Sequence, residues 1–248
     1  MSTHEPFARP TVVEALCELH FGLGDGRGWN EEWFGAFFRK VEKDFPRMEP
    51  RQLMKVAPAE AGSNARDVHQ VLGMIYHHHG GRLLRQLFQD HLTINELAPY
   101  PGWSAFLRDM SEAWSDLAEV VGPANVTRIG LRYINRIERA STTEALGDWL
   151  AESDYYPRLL RKASAGFMSR FEHRPAPGVR LVVTVAEEKV ESGPAPIILD
   201  LDAILEATLP SDIGALQPDL ESLHGTVWAA FESSLTERLR GRLHGGES

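Results

Sequence analysis

Along the chain the spacing of apolar positions alternates between periods of about 2 and about 3.6 residues, the signatures of strand and helix. "TVVEALCELHFGLG", Thr11 to Gly24, is rich in β-branched and apolar residues and stops at glycines, which predicts a strand. "NEEWFGAFFRKVEKDFP" follows with a capping Asn30, acids in its first turn, and Trp33, Phe34, Phe37, Phe38, Val41 and Phe45 at helical spacing. From Glu49 to Arg66 the periodicity is weak and turn-forming residues are frequent, so this stretch reads as a loop with at most a short element. His69 to His79 and Arg82 to Asn95 are two β-like runs around Gly80-Gly81, residues able to take the positive φ of a two-residue hairpin turn.

A second helix is predicted where Trp103, Phe106, Leu107, Met110, Trp114, Leu117 and Val121 form one stripe that ends at Gly122-Pro123. Asn125 to Arg139 then alternates Ile129, Leu131, Tyr133 and Ile137 against Arg128, Arg132 and Arg136, as a strand does. The order strand, helix, strand, strand, helix, strand over residues 1–140 is ferredoxin-like, with helices on one face of an antiparallel sheet. Residues 141–248 begin with a short helix, "TTEALGDWLAE", and continue with three strand candidates, "GFMSRFEHRP", "VRLVVTVAEEKV" and "PIILDLDAIL". A long amphipathic helix with Leu220, Leu223, Val227, Phe231, Leu235 and Leu239 on one stripe ends the chain. The fold class expected is α+β, with antiparallel sheets, helices packed on one face, and a second half that reads as a degenerate repeat of the first, all in one compact unit.

Composition narrows the function classes. The formal charge of −9 disfavours coating nucleic acid by bulk electrostatics, although a local basic face is compatible with it. A single cysteine, Cys17, excludes an internal disulfide and a thiolate metal cluster within one chain. With neither a leader pattern nor a long apolar run, the expectation is a cytoplasmic protein that does not engage a membrane.

"MIYHHHGGRLLRQLF" is the stretch that most invites a metal. On the predicted hairpin His77 faces Leu84, His78 faces Leu83 and His79 faces Arg82, and only His77 and His79 share a side. Two imidazoles beside an arginine do not make a zinc site, and Asp90 and His91 would lie far along the ladder, opposite Val71 and Gln70. A hairpin tip is the expectation. Arg128, Arg132 and Arg136 form a cationic stripe suited to phosphates or carboxylates, yet Asp200 and Asp202 share one face of their own strand and could absorb that charge by cross-strand pairing. The same two aspartates could instead share a divalent cation. "GLGDGRG" lacks the lysine and spacing of a phosphate loop, and Cys17 and His20 fall on opposite faces of a strand, so no catalytic nucleophile is apparent. Arg238, Arg240 and Arg242 with His244 suit the end of a helix and form a second basic surface.

Pro10 with Val12, Val13 and Glu14, then Tyr100-Pro101, Tyr133 to Ile137, and His224 with Phe231, Glu232 and Thr236 occur in an order that resembles a sporadically distributed, uncharacterised bacterial family of similar length. Where that family tends to show a second proline before the first strand, this chain has Arg9. The resemblance implies no reaction; the family's distribution is like that of mobile or defence-associated accessory genes. The expected function is therefore non-enzymatic: binding another protein, encoded nearby, through Arg128, Arg132, Arg136, Tyr133 and Asn135 or through the terminal helix, with no cofactor and with self-association left open. The alternative is a metal-dependent phosphoester hydrolase or nuclease using Asp200 and Asp202; a nucleic-acid-binding regulator is the third class.

Overall fold

The computed structural model describes residues 7–24, 26–56, 67–153 and 157–246, with backbone alone for 53–56 and 67–70. Among the described residues nine strands form one sheet: β1 (Val12–Gly22), β2 (Arg47–Val56), β3 (Asp67–His77), β4 (Leu83–Phe88), β5 (His91–Leu97), β6 (Asn125–Ile137), β7 (Met168–Ala176), β8 (Val179–Glu187) and β9 (Ile197–Pro210). Their order across the sheet is β2-β3-β4-β5-β1-β6-β9-β8-β7, and every neighbouring pair is antiparallel. The helices are α1 (Glu32–Val41), α2 (Trp103–Val121), the short α3 (Leu146–Trp149), α4 (Ile213–Ser233) and α5 (Glu237–Leu243). None of the helices among the described residues is long and apolar enough to cross a membrane.

One cross-strand row shows why the helices collect on a single face. Tyr76, Arg85, Ile94, Cys17, Leu131, Ala203 and Leu181 are paired in turn from β3 to β8, and all seven are buried. Because side chains alternate along a strand, every second residue of each strand joins this apolar surface. α1 meets it where the rings of Phe37 and Tyr76 lie 5.0 Å apart, and the Tyr76 hydroxyl donates to the Phe34 carbonyl at 2.9 Å. Trp114 of α2 packs edge-on to Phe21 and donates its Nε1 proton to the Ser211 carbonyl at 2.7 Å, and α4 covers β6 and β9 through Leu220, Leu223, His224 and Val227.

Several helix limits follow their local chemistry. The Asn30 side-chain carbonyl accepts from the Glu32 amide at 3.0 Å at the start of α1, and α2 ends on Gly122 at φ 63°, a conformation open to glycine. Where the sequence predicts one closing helix, the chain breaks after Ser233 and Thr236 caps α5 by accepting from the Leu239 amide at 3.2 Å. A side-chain acceptor there competes with helix continuation.

The ferredoxin-like order is corrected: four strands lie between α1 and α2, not two. Part of the predicted loop from Glu49 is the strand β2, paired along β3; residues 57–66 lie outside the described residues. The run from Arg82 to Asn95 is two strands, β4 and β5, separated by Gln89 and Asp90. From β1 the chain passes to the β2 edge and returns by a four-strand meander to β1; from β6 it passes to the β7 edge and returns by three strands. The two paths are alike in outline and differ in strand number, and the predicted repeat goes no further than that.

Trp114 is 1% exposed and bonded through its indole, so Trp114→Ala should remove about 3–5 kcal/mol of stability. Urea unfolding of the variant, with the slope unchanged, measures it.

Candidate functional site

β6 carries the five residues that the sequence groups into one surface, and it divides them between two faces. Tyr133 and Asn135 are buried on the helix side, at 5% and 1% exposure. Arg128, Arg132 and Arg136 point to the other side, against which no described helix packs. One surface made of all five residues therefore does not exist, because successive β residues point to opposite faces.

On the open face the arginines are engaged. Arg132 lies directly across from Asp202 but forks onto Asp200, with Nε to Oδ1 at 2.7 Å and Nη2 to Oδ2 at 2.6 Å. This bidentate pair raises the pKa of the guanidinium further and leaves Asp202 without a fork of its own. Burial pushes the Asp202 carboxyl up to about 6, with the Asp200 charge adding to the shift and Arg132 opposing it. Arg128 closes on Glu18, whose carboxyl is held down at about 2 by hydrogen bonds from His20 and from Arg128. Arg136 reaches Glu188 at 2.6 Å and also contacts Glu138. A side-chain chain crosses the neighbouring strands: Gln86 donates to Asn95 at 2.8 Å and Asn95 donates to Glu14 at 2.6 Å.

The histidine run forms a hairpin tip. His77 is opposite Leu84 and the His78 amide donates to the Leu83 carbonyl, the register the sequence predicts. The turn itself differs: the Gly81 amide closes onto the His78 carbonyl, and of the two glycines Gly81 has positive φ, 76°. Since the strand ends at His77, alternation stops there, and the rings of His78 and His79 come to 4.1 Å of each other. His77 sits between Arg47, at 2.7 Å, and Glu49, at 3.0 Å, both on β2. His78 packs on Phe45 and its pKa is lowered, first by burial. Asp90 and His91 are not opposite β3; they lie at the start of β5, beside β1.

On the helix side a cavity of about 80 Å³ opens among β6, the start of α2, α4 and the segment before β1. Tyr100 and Tyr133 join their hydroxyls across it at 2.9 Å, and burial drives both phenols above the ordinary tyrosine pKa. Trp103 stacks on His224 at 4.1 Å and 6° while its indole donates to Glu221 at 3.1 Å. Thr11 donates to Asn135 Oδ1 at 3.0 Å, and Asn135 Nδ2 donates to the Leu199 carbonyl at 3.2 Å. Phe7 and Trp228, stacked at 5.6 Å, form one wall. The cavity is apolar with a short polar edge, and its phenols stay protonated. Of the lining residues, the sequence marks Tyr133 and Asn135 as a binding surface and gives Trp103 a place on a helical stripe; nothing in its spacing singles out Trp228, because the cavity forms only where α2, lying along β5, and α4, lying along β6 and β9, come together.

Other charged residues are structural. Arg139, 1% exposed in its side chain, donates to the carbonyls of Ala195 at 2.5 Å, Glu144 at 3.1 Å and Ser164 at 2.5 Å and pairs with Glu187 at 2.7 Å. Its odd position relative to Arg128, Arg132 and Arg136 is the signal that distinguishes it. Arg238 lies 4.0 Å over the Trp149 ring and reaches Glu144 at 2.5 Å, and Arg242 donates to the Glu138 carbonyl at 2.7 Å, so the second basic surface is largely taken up by the fold. Cys17 is buried, and burial pushes its thiol pKa well up, which leaves it inert.

A scan against protein-family models finds no match, and neither does a search of curated proteins.

A carboxyl raised from 3.8 to about 6 binds its proton more tightly in the folded chain, so between those values its contribution to stability falls as pH rises. Asp202→Asn should therefore stabilise the protein by about 1–2 kcal/mol near pH 8, and the gain should fade through pH ~6 and vanish below pH ~4. Urea midpoints measured across that range test it; an unchanged midpoint near pH 8 would contradict the assignment.

Proposed function

We propose that this is a non-enzymatic binding protein whose partner is another protein, and that the aromatic cavity beside β6 receives an apolar side chain of that partner. The observation that carries the reading is the convergence of Phe7, Tyr100, Trp103, Tyr133, His224 and Trp228, from four separate segments, on one small apolar cavity. Such concave sites, with a few fixed polar groups, are the usual form of a specific pocket, and aromatic residues are the usual anchors of protein interfaces. Several residues that carry the resemblance to the sporadically distributed bacterial family, namely Pro10, Val12, Tyr100, Tyr133, His224 and Phe231, line the same cavity. That agreement supports an accessory role and a partner encoded beside this chain.

The hydrolase reading finds less support. Asp200 is held by both arms of Arg132, and Asp202 keeps a proton up to pH of about 6, so the two carboxylates are poorly placed to share a hard cation. The regulator reading needs free cations to neutralise phosphates, whereas Arg128, Arg132 and Arg136 each face a carboxylate.

The products of adjacent genes, each purified and tested for capture by this chain, examine the proposal. Trp228→Ala should weaken capture by roughly tenfold or more, as the loss of an interface anchor does, while Arg132→Ala should leave it within about twofold. Capture that is lost with Arg132→Ala and kept with Trp228→Ala would move the interface to the open face and overturn the assignment to the cavity.

A further inference from the structure

We propose that His20, His91 and Asp90, at one end of the open sheet face, form a binding site for a first-row transition-metal ion such as Zn²⁺. His20 on β1 and His91 on β5 are direct cross-strand partners. The Phe21 amide donates to the Asp90 carbonyl at 2.9 Å, so the rung of Phe21 and Asp90 is the hydrogen-bonded one and His20 and His91 occupy the adjacent non-hydrogen-bonded rung. That is where opposed side chains come nearest in an antiparallel pair. Their imidazoles stack at 4.7 Å and 21°, and Phe88 stacks on the other side of His91 at 4.2 Å and 11°. Packed rings on two paired strands leave the imidazoles few orientations.

Asp90 completes the set. Its Oδ1 lies 2.7 Å from His91 Nδ1, its backbone is tied to Phe21, and one potential ligand atom from each of the three residues falls within 4.8 Å of the other two. Ligand atoms around a tetrahedral zinc with bonds of about 2.1 Å are separated by roughly 3.4 Å, so the three groups have to draw together by about 1 Å or somewhat more to close on the ion. Two imidazoles and a carboxylate are a donor set of borderline softness, which suits Zn²⁺, Fe²⁺, Co²⁺ or Ni²⁺ better than Ca²⁺ or Mg²⁺. Glu18 Oε1 lies 2.5 Å from His20 Nε2 but is held by Arg128, so it becomes a further oxygen donor only when that pair is broken.

Arg128 is the unfavourable neighbour, with Nη1 2.6 Å from His20 Nε2. Its charge is matched by Glu18, so the local field seen by an incoming dication is set by Asp90. This makes a distinctive expectation: removing Arg128 should strengthen metal binding, because it lifts a competing cation and frees Glu18. The other histidine-rich feature, the tip carrying His78 and His79, lies at the far end of the β3–β4 hairpin and serves as an internal control.

Chelator-treated protein titrated with Co²⁺, followed by its visible absorption, and with Zn²⁺, followed by calorimetry, tests the site. One saturable equivalent per chain is expected, weakened roughly tenfold or more by His20→Ala, by His91→Ala and by Asp90→Asn, tightened by Arg128→Gln, and unchanged by the double substitution His78→Ala with His79→Ala. Asp90 is exposed in a turn, so Asp90→Asn tests the site even if a histidine variant unfolds. No saturable uptake, or uptake that disappears with His78 and His79 and survives loss of His91, would overturn the proposal.

Discussion

Strand β6 has two faces, and nearly everything that distinguishes this protein hangs on the alternation of its side chains between them. It pairs with β1, the middle strand of the nine described, on one side and with β9 on the other. Leu131, Tyr133, Asn135 and Ile137 are committed to the helix side by burial, and a register slip of one residue would drive Arg132 and Arg136 into the core. The apolar row across the sheet therefore fixes where the charged row must lie. The acids of β1 and β9 then complete that charged row: Glu18 meets Arg128 and Asp200 meets Arg132.

Fork geometry explains why these contacts are unequal. Arg132 can present two parallel N–H groups to one carboxylate, and it gives both to Asp200 although Asp202 is directly opposite. Asp202 is left half-buried with a raised pKa, beside a carboxylate that is fully compensated. A pattern that looks symmetrical in the sequence, two aspartates facing three arginines, resolves into one tight pair and one weakly held acid. Arg139 is the counterpart inside the fold: buried among three carbonyls and Glu187, it ties the loops before β7 and β9 to the end of β6.

The two faces have different chemistry. The helix side has a gap at the junction of α2, α4 and β6, where large rings meet at angles that leave space, and its buried hydroxyls and amide bond mainly to each other and to the backbone. A guest there would exchange water for aromatic surface, a gain set by area. The open side is a field of paired charges crossed by histidines, where recognition would rest on electrostatics and coordination.

The sequence by itself determined the local units: the strands of the second half, the first two helices with the Asn30 cap and Gly122 stop, the His77–Leu84 register, and the alternation that separates the arginines from the apolar residues of β6. Periodicity and turn chemistry act over a few residues, so a single chain segment contains them. It did not determine β2, whose proline-bearing segment pairs only because β3 lies beside it, nor the split of Arg82–Asn95 into two strands, which places His91 beside His20. The cavity and the His20–His91 pair likewise join residues more than seventy positions apart. Contacts of that kind are set by how the sheet is ordered and by which face each helix covers, and no spacing along the chain encodes them; only the tertiary structure decided them.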